Sequence, residues 1–291
     1  MSLRWVRRAW KRRVWIYVLR RIHPEIQVRV GGRRMVMDLR DRALARTLYL
    51  SEDHEPELQA LMRQMSLQGG VCLDVGANIG FHTVLMSQLV GPSDKVVAFE
   101  PEARNFRLLD LNLRLNGATN VTALRTAVGD RTGTCRLALN PKNYGDNRVA
   151  DSGSMPWESR EVPLTTVDEA LADLPDGAVK FIKIDVQGYE WHVLQGMKAT
   201  LDRNREAIVA IEIFPGALRQ AGSSPGELMR SLRELGLSGW EFSRHRILPI
   251  PEPWVYDLMR GGSVDAILSR NPERLTSLLT RTYSLSVPKP R

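Results

Sequence analysis

Short apolar runs alternate along the chain with stretches whose apolar positions recur every three or four residues. That alternation predicts strands separated by helices. Val71–Val75, Lys95–Glu100, Val121–Val128, Val179–Asp185 and Ala207–Phe214 read as five buried strands. Ile79–Val90, Ala103–Asn116 and Tyr189–Leu201 read as the helices between them, with Phe106, Leu109 and Leu113 on one face of the second. Gly91-Pro92 ends the first of these. Val28–Val30 and Arg34–Leu39 predict a hairpin around Gly31-Gly32, and residues 41–66 a helical segment in which Glu55-Pro56 suits a helix start. Gly133–Leu139 reads as an extra strand and residues 140–160 as a long loop. Val167–Leu174 reads as a short helix capped by Thr165 or Thr166. Leu228–Leu235 predicts a helix, and Trp240–Phe242 with Ile247–Ile250 a last hairpin. Nothing after Pro251 shows a clear period.

Strands alternating with helices specify an α/β fold, an open parallel sheet doubly wound in the Rossmann-like manner. Ligands bind such sheets beyond the carboxyl ends of the strands, where strand order reverses. The chain divides into a basic amphipathic extension (1–24), a hairpin and helix packing on the core (25–66), the sheet domain (67–250) and a C-terminal extension of unassigned role (251–291).

Composition changes this picture at one end only. At 43% hydrophobic and 25% charged, the 291 residues are those of an ordinary globular chain. Eight of the 41 basic residues fall within the first 24 positions, before any acid, and leave 33 basic residues against 33 acidic ones in the rest. A charge confined to one segment argues against a nucleic-acid partner, which needs a basic field across a binding face. The longest apolar run in the segment, Val14 to Leu19, is far shorter than the ~20 residues of a membrane span. Trp5, Trp10 and Trp15 among the arginines suit an interfacial helix on an anionic membrane; a helix packed on the domain is the alternative, and a transit peptide a third. Cys72 and Cys135 offer neither a disulfide framework nor zinc spacing, which fits a cytoplasmic protein, peripheral on the inner membrane surface in the interfacial reading.

The turn after the first buried strand reads Asp74-Val75-Gly76-Ala77-Asn78-Ile79-Gly80. It lacks the middle glycine of the dinucleotide pattern G-x-G-x-x-G, and Asp74 would repel a pyrophosphate while suiting an amino group or sulfonium. Gly76 and Gly80 allow close backbone approach. Glu100, ending the second strand, can accept from ribose hydroxyls, and Asp130, after the third, can reach an adenine amino group.

Over residues 48–214 the chain resembles the FkbM-type S-adenosylmethionine-dependent methyltransferases. The likeness rests on Glu55-Pro56, the 74–80 turn, Ala-Phe-Glu-Pro at 98–101 with Asn105, Asn112 and Asn116, and Ala-Val-Gly-Asp at 127–130. Lys-Ile-Asp-Val at 183–186, Gly188, Glu190, Val193-Leu194, Gly196 and Glu212 continue it. The resemblance implies a seven-stranded class I methyltransferase sheet, S-adenosyl-L-methionine as cofactor, and O-methylation of a glycan, glycolipid or small natural product. It adds Asn78 and Pro101 to the cofactor-binding candidates. The family usually has Glu where this chain has Gln187, which puts acceptor choice or activity in question.

An alcohol is a poor nucleophile and needs a general base or a metal ion. Asp185 is the leading candidate for base or metal ligand, with Glu212 at the end of the neighbouring strand and Glu190 as support. Helix capping and an ion pair with Lys183 would be their structural alternative. The five histidines show no metal-ligand spacing; His82, close after Gly80, can shuttle a proton. A dehydrogenase, a catalytically altered S-adenosylmethionine-binding protein and a nucleic-acid methyltransferase are the competing readings.

Overall fold

The structure, a computed structural model, describes residues 15–149, 156–243, 246–250 and 262–283. Helix α1 covers residues 15–22. The hairpin that follows, β1 (Glu25–Val30) and β2 (Arg33–Asp38), turns at Gly31 and Gly32, both at positive φ, as a two-residue hairpin requires. The helical stretch expected over 41–66 is two helices, α2 (Leu44–Ser51) and α3 (Pro56–Gln64). Pro56 cannot continue a helix from the preceding turn, and Glu52 and Glu55 both take left-handed backbone at the break.

The core runs β3 (Val71–Val75), α4 (Phe81–Val90), β4 (Lys95–Phe99), α5 (Ala103–Leu115) and β5 (Val121–Leu124). A second, smaller sheet follows, from β6 (Ala127–Val128), β7 (Gly133–Ala138), β8 (Arg148–Val149) and β9 (Ser159–Thr165), in the order β6-β9-β7-β8. The chain then passes through α6 (Val167–Ala170), β10 (Val179–Ile184), α7 (Glu190–Gln195), α8 (Lys198–Arg203) and β11 (Ile208–Ile213). The last elements are α9 (Pro215–Gln220), α10 (Pro225–Glu234), β12 (Ser238–Ser243), β13 (Arg246–Pro249), β14 (Val264–Ser269) and α11 (Pro272–Tyr283).

The main sheet has the order β13-β12-β14-β11-β10-β3-β4-β5. Its strands β5, β4, β3, β10 and β11 are parallel; β14 runs antiparallel between β11 and β12. This is the doubly wound α/β sheet the pattern predicts, with β13 as an added edge strand. Alternation along β3 shows the two faces. Val71, Leu73 and Val75 pack with α7 to α10, whereas Cys72 packs with α3, α4 and α11.

Several expectations are amended by long-range pairing. Val121–Val128 is not one strand. Arg125 and Thr126 interrupt the apolar run, and the chain leaves the main sheet after Leu124 to pair Ala127 with Leu164 in the smaller one. The strand β9 lies partly within the predicted loop, because Arg160, Glu161 and Pro163 mask a pattern of only two buried positions, Val162 and Leu164. The helix expected over Tyr189–Leu201 breaks at Gly196, where an added Cβ would lie 1.9 Å from the Gly129 carbonyl oxygen. Thr166 does cap α6, accepting from the Glu169 N–H at 3.0 Å. The boundary drawn at residue 250 passes through the sheet, since β14 is an internal strand and Leu275, Leu278 and Leu279 of α11 are buried against it.

The three asparagines of the family likeness tie these layers together. Asn112, fully buried, donates to the carbonyls of Val36 (3.0 Å) and Ile79 (2.8 Å) and accepts from the Val36 N–H (2.6 Å). Asn116 pairs with both backbone groups of Arg34, and Asn105 donates to the Tyr144 carbonyl. Asn112→Ala would strand the buried Ile79 carbonyl and the part-buried N–H and carbonyl of Val36. It is expected to cost roughly 2–4 kcal/mol in urea unfolding; a change within the ~0.5 kcal/mol of a surface substitution would show that hairpin and core are not coupled there.

Candidate active site

Strand order reverses between β3 and β10, and two adjoining cavities open there. The first is walled by Phe99, Glu100, Pro101, Asn105, Val128, Leu137, Tyr144 and Tyr189. The second, the roomier of the two, is walled by His54, Glu55, Asp74, His82, Arg148, Lys183, Glu212 and Phe214. Gly76, Asn78, Gly145, Asp185 and Gln187 border both.

Local packing explains the turn that separates them. Gly76 has φ +88°, and a Cβ there would lie 1.9 Å from the Asp185 carbonyl oxygen. The neighbouring strand end therefore demands this glycine, not only a ligand. Gly80 is demanded by its left-handed backbone, φ +83°, and lies close under α5, whose Leu109 Cδ1 would stand 2.5 Å from a Cβ. Asn78, at φ +52°, donates its N–H to Glu100 Oε2 at 2.9 Å, and the Glu102 N–H donates to Oε1 at 2.9 Å. Burial pushes Glu100 up to about 7 in spite of these donors. The Asn105 side chain also hydrogen-bonds this carboxylate, and the lone pairs left over can accept from a ligand hydroxyl. Pro101 and Asn78 lie where expected, on the first cavity.

Two expected cofactor residues sit elsewhere. Asp74 lines the second cavity, not the first; its Oδ2 accepts from the Thr83 hydroxyl at 2.6 Å and its buried Oδ1 has no partner. Asp130 borders neither cavity. It is exposed and pairs with Arg131 at 3.2 Å, because the chain has already turned into the smaller sheet; Thr126, Ala127 and Val128 wall the cavity instead.

On the acceptor side, Asp185 and Glu212 converge and Glu190 does not. Asp185 Oδ2 lies 2.9 Å from Lys183 Nζ, and Oδ1 accepts from Gln187 Nε2 at 2.8 Å. The same Nε2 donates to Glu212 Oε2, and the Ser263 hydroxyl donates to Oε1 at 2.6 Å. Glu190 is fully buried at the start of α7, where its carboxylate turns back to accept from the Gly188 N–H at 2.9 Å. It braces the turn and lines neither cavity.

The electrostatics separate the two converging carboxylates. Burial alone would raise Asp185, but the Lys183 charge holds it below the usual range. Burial, and then the ionised Asp185 beside it, raise Glu212 well above that range. Burial opposes the charge on Lys183, yet Asp185, Glu55 and Asp74 hold it above the usual lysine value. Burial pushes His82 down to about 3, so it is neutral at pH 7 and a weak proton acceptor. Among the described residues no three His, Cys, Asp or Glu side chains are arranged to share a metal ion, and the Lys183 ammonium, 2.9 Å from Asp185, already neutralises that carboxylate and would repel a second cation. The donor set therefore does not suit Asp185 as a metal ligand.

Residues 74–237 match the methyltransferase FkbM domain, more than half of the chain. The chain belongs to the FkbM methyltransferase family. It is 28% identical to the hexuronic acid methyltransferase AglP of Haloferax volcanii, over 63% of this chain and 70% of that protein. It is 29% identical to the 31-O-demethyl-FK506 methyltransferase FkbM of Streptomyces tacrolimicus, over 58% of this chain and 73% of that one. The crystal structure of methyltransferase FkbM from Methylobacillus flagellatus KT aligns at a TM-score of 0.43 and 17% identity, over 70% of this chain and 44% of that one.

In this FkbM methyltransferase, Gln187 acts as a neutral clamp. It holds left-handed backbone at φ +54° and donates to both Asp185 and Glu212. A glutamate there would confront two carboxylates with a third. Pattern reading singled out Gln187 only as a departure from the family that bears on the acceptor, and missed Tyr144, Tyr189 and Ser263 as site residues. The positive φ shared by Glu55, Asn78 and Gln187, all lining the second cavity, emerges only in three dimensions.

Proposed function

We propose that the protein transfers a methyl group from S-adenosylmethionine, held in the first cavity, to a hydroxyl of a sugar-containing acceptor held in the second. The carrying observation is the shared border: Gly76, Asn78, Asp185 and Gln187 separate a cavity containing Glu100 from one containing Glu212. The residues fit the donor. Glu100 offers lone pairs to ribose hydroxyls, and the buried, unpartnered Asn105 Oδ1 offers another acceptor in the same cavity. The second cavity is rich in carboxylates, amides, imidazoles and cations, which favours a polyhydroxylated acceptor over an apolar one. Its Haloferax relative is named for a hexuronic acid.

Bound S-adenosylmethionine supplies a methyl group already activated by its positive sulfur. The protein's part is alignment, which contributes up to roughly 7–11 kcal/mol, and removal of the hydroxyl proton. Glu212 is the group placed to take that proton. Its raised value makes it a better base than Asp185, whose negative charge is held by Lys183. Gln187 and Ser263 fix the Glu212 carboxylate by donating to its two oxygens.

Calorimetry tests the donor half. Glu100→Ala is expected to weaken S-adenosylmethionine binding by about 1.5–3 kcal/mol, the loss of charge-assisted hydrogen bonds. Unchanged affinity in a folded variant would remove Glu100 from the site. Binding of NAD without S-adenosylmethionine would overturn the assignment, and donor binding with no turnover on any sugar acceptor would favour a catalytically altered binder.

A further inference from the structure

Five large hydrophobic side chains are exposed among the described residues, and four of them lie on α1: Trp15 (54% exposed), Tyr17 (63%), Val18 and Ile22 (62%). Trp15, Val18 and Ile22 are spaced three and four residues apart and form one stripe. The adjoining side is anchored. Ile16 is buried and Leu19 packs beside it in a cluster with Val30, Met35 and Leu48. The helix is thus docked on the protein by one face and presents an aromatic and aliphatic face outward.

Charge identifies what that face meets. Arg20 and Arg21 lie on the same short helix, and the first 24 residues carry eight basic side chains and no acid, while the remainder of the chain is balanced. A protein partner would need an acidic rim around an apolar groove. An anionic bilayer offers both features at once, with apolar and aromatic side chains at the acyl boundary and arginines at the headgroups. No helix among the described residues is long and apolar enough to cross a membrane. We propose that α1 is an interfacial docking helix that holds the protein on an anionic lipid bilayer. The cluster beneath α1 also contains Phe81, which lines the second cavity, so one hydrophobic unit joins the docking face to the acceptor wall. The surface does not depend on the methyl-transfer reading.

Vesicle flotation of the full chain tests it. Binding is expected to phosphatidylglycerol-containing vesicles at low salt, less at high salt, and not to pure phosphatidylcholine. The variant W15S/V18S/I22S changes only outward side chains and is expected to stay folded by circular dichroism yet lose flotation. R20Q/R21Q is expected to lower the partition coefficient by about fivefold per arginine at low salt. Failure of the parent chain to bind anionic vesicles overturns the proposal, as does flotation of the triple variant at the parent's level. If the triple variant instead dissolves a concentration-dependent oligomer and leaves flotation intact, the face belongs to a second copy of the chain. S-adenosylmethionine calorimetry on the same proteins, expected to be unchanged, keeps membrane docking separate from the donor site.

Discussion

Glu212→Gln is expected to lower turnover by a factor on the order of 10²–10⁴, once an acceptor is in hand, while leaving S-adenosylmethionine affinity within about twofold. The amide keeps the shape and a carbonyl acceptor but cannot take the hydroxyl proton. Because Glu212 is raised by burial and by Asp185, the activity of the parent enzyme is expected to rise with pH through a value above the usual carboxylate range. Asp185→Asn removes the negative neighbour, which makes Glu212 easier to ionise. Its rising limb should therefore move to lower pH. If Asp185→Asn abolishes turnover and Glu212→Gln does not, the proton goes to Asp185, as the sequence pattern first suggests.

Lys183→Met is expected to destabilise the fold by about 3–5 kcal/mol near neutral pH, since it leaves buried carboxylates without their cation. Lys183 is 7% exposed, lies 2.9 Å from Asp185 and stands opposite Asp74 across β3 and β10. The pH dependence follows from the two shifts. Lys183 is raised, so its contribution is complete below the ordinary lysine value and fades only as pH climbs through its folded value. Asp185 is depressed, so its contribution is present above the ordinary aspartate value of about 3.9 and is lost as pH falls through its own. The gap between parent and variant should be full between roughly pH 4 and 10 and narrow in more acid solution. Urea unfolding at several pH values measures it. Equal stability of the two proteins at pH 7 would show that the cluster does not rely on its lysine.

Local pattern carried the centre of the fold. The strands at Val71–Val75, Lys95–Phe99, Val179–Ile184 and Ile208–Ile213 are near-continuous apolar runs because both faces of a parallel sheet are covered, and that signature needs no knowledge of neighbours. The 74–80 turn, Glu100 and the pairing of Asp185 with Glu212 were legible for the same reason. Each lies at the carboxyl end of such a run, and parallel pairing brings those ends together. Residues whose place depends on partners distant in sequence were not legible. Asp130 leaves the site because the chain changes sheets after Leu124. Glu190 turns inward because the Gly188 N–H offers its carboxylate a buried donor. Strand β14 has a weak pattern of its own and becomes a strand only between β11 and β12, where it brings Asp265 opposite Glu212 and Ser263 onto its carboxylate. Periodicity along a chain records which face of an element is buried. Which carboxylates share a cavity, which amide clamps them and which cation neutralises them are set by backbone pairing across long sequence separations, and only the tertiary structure decides them.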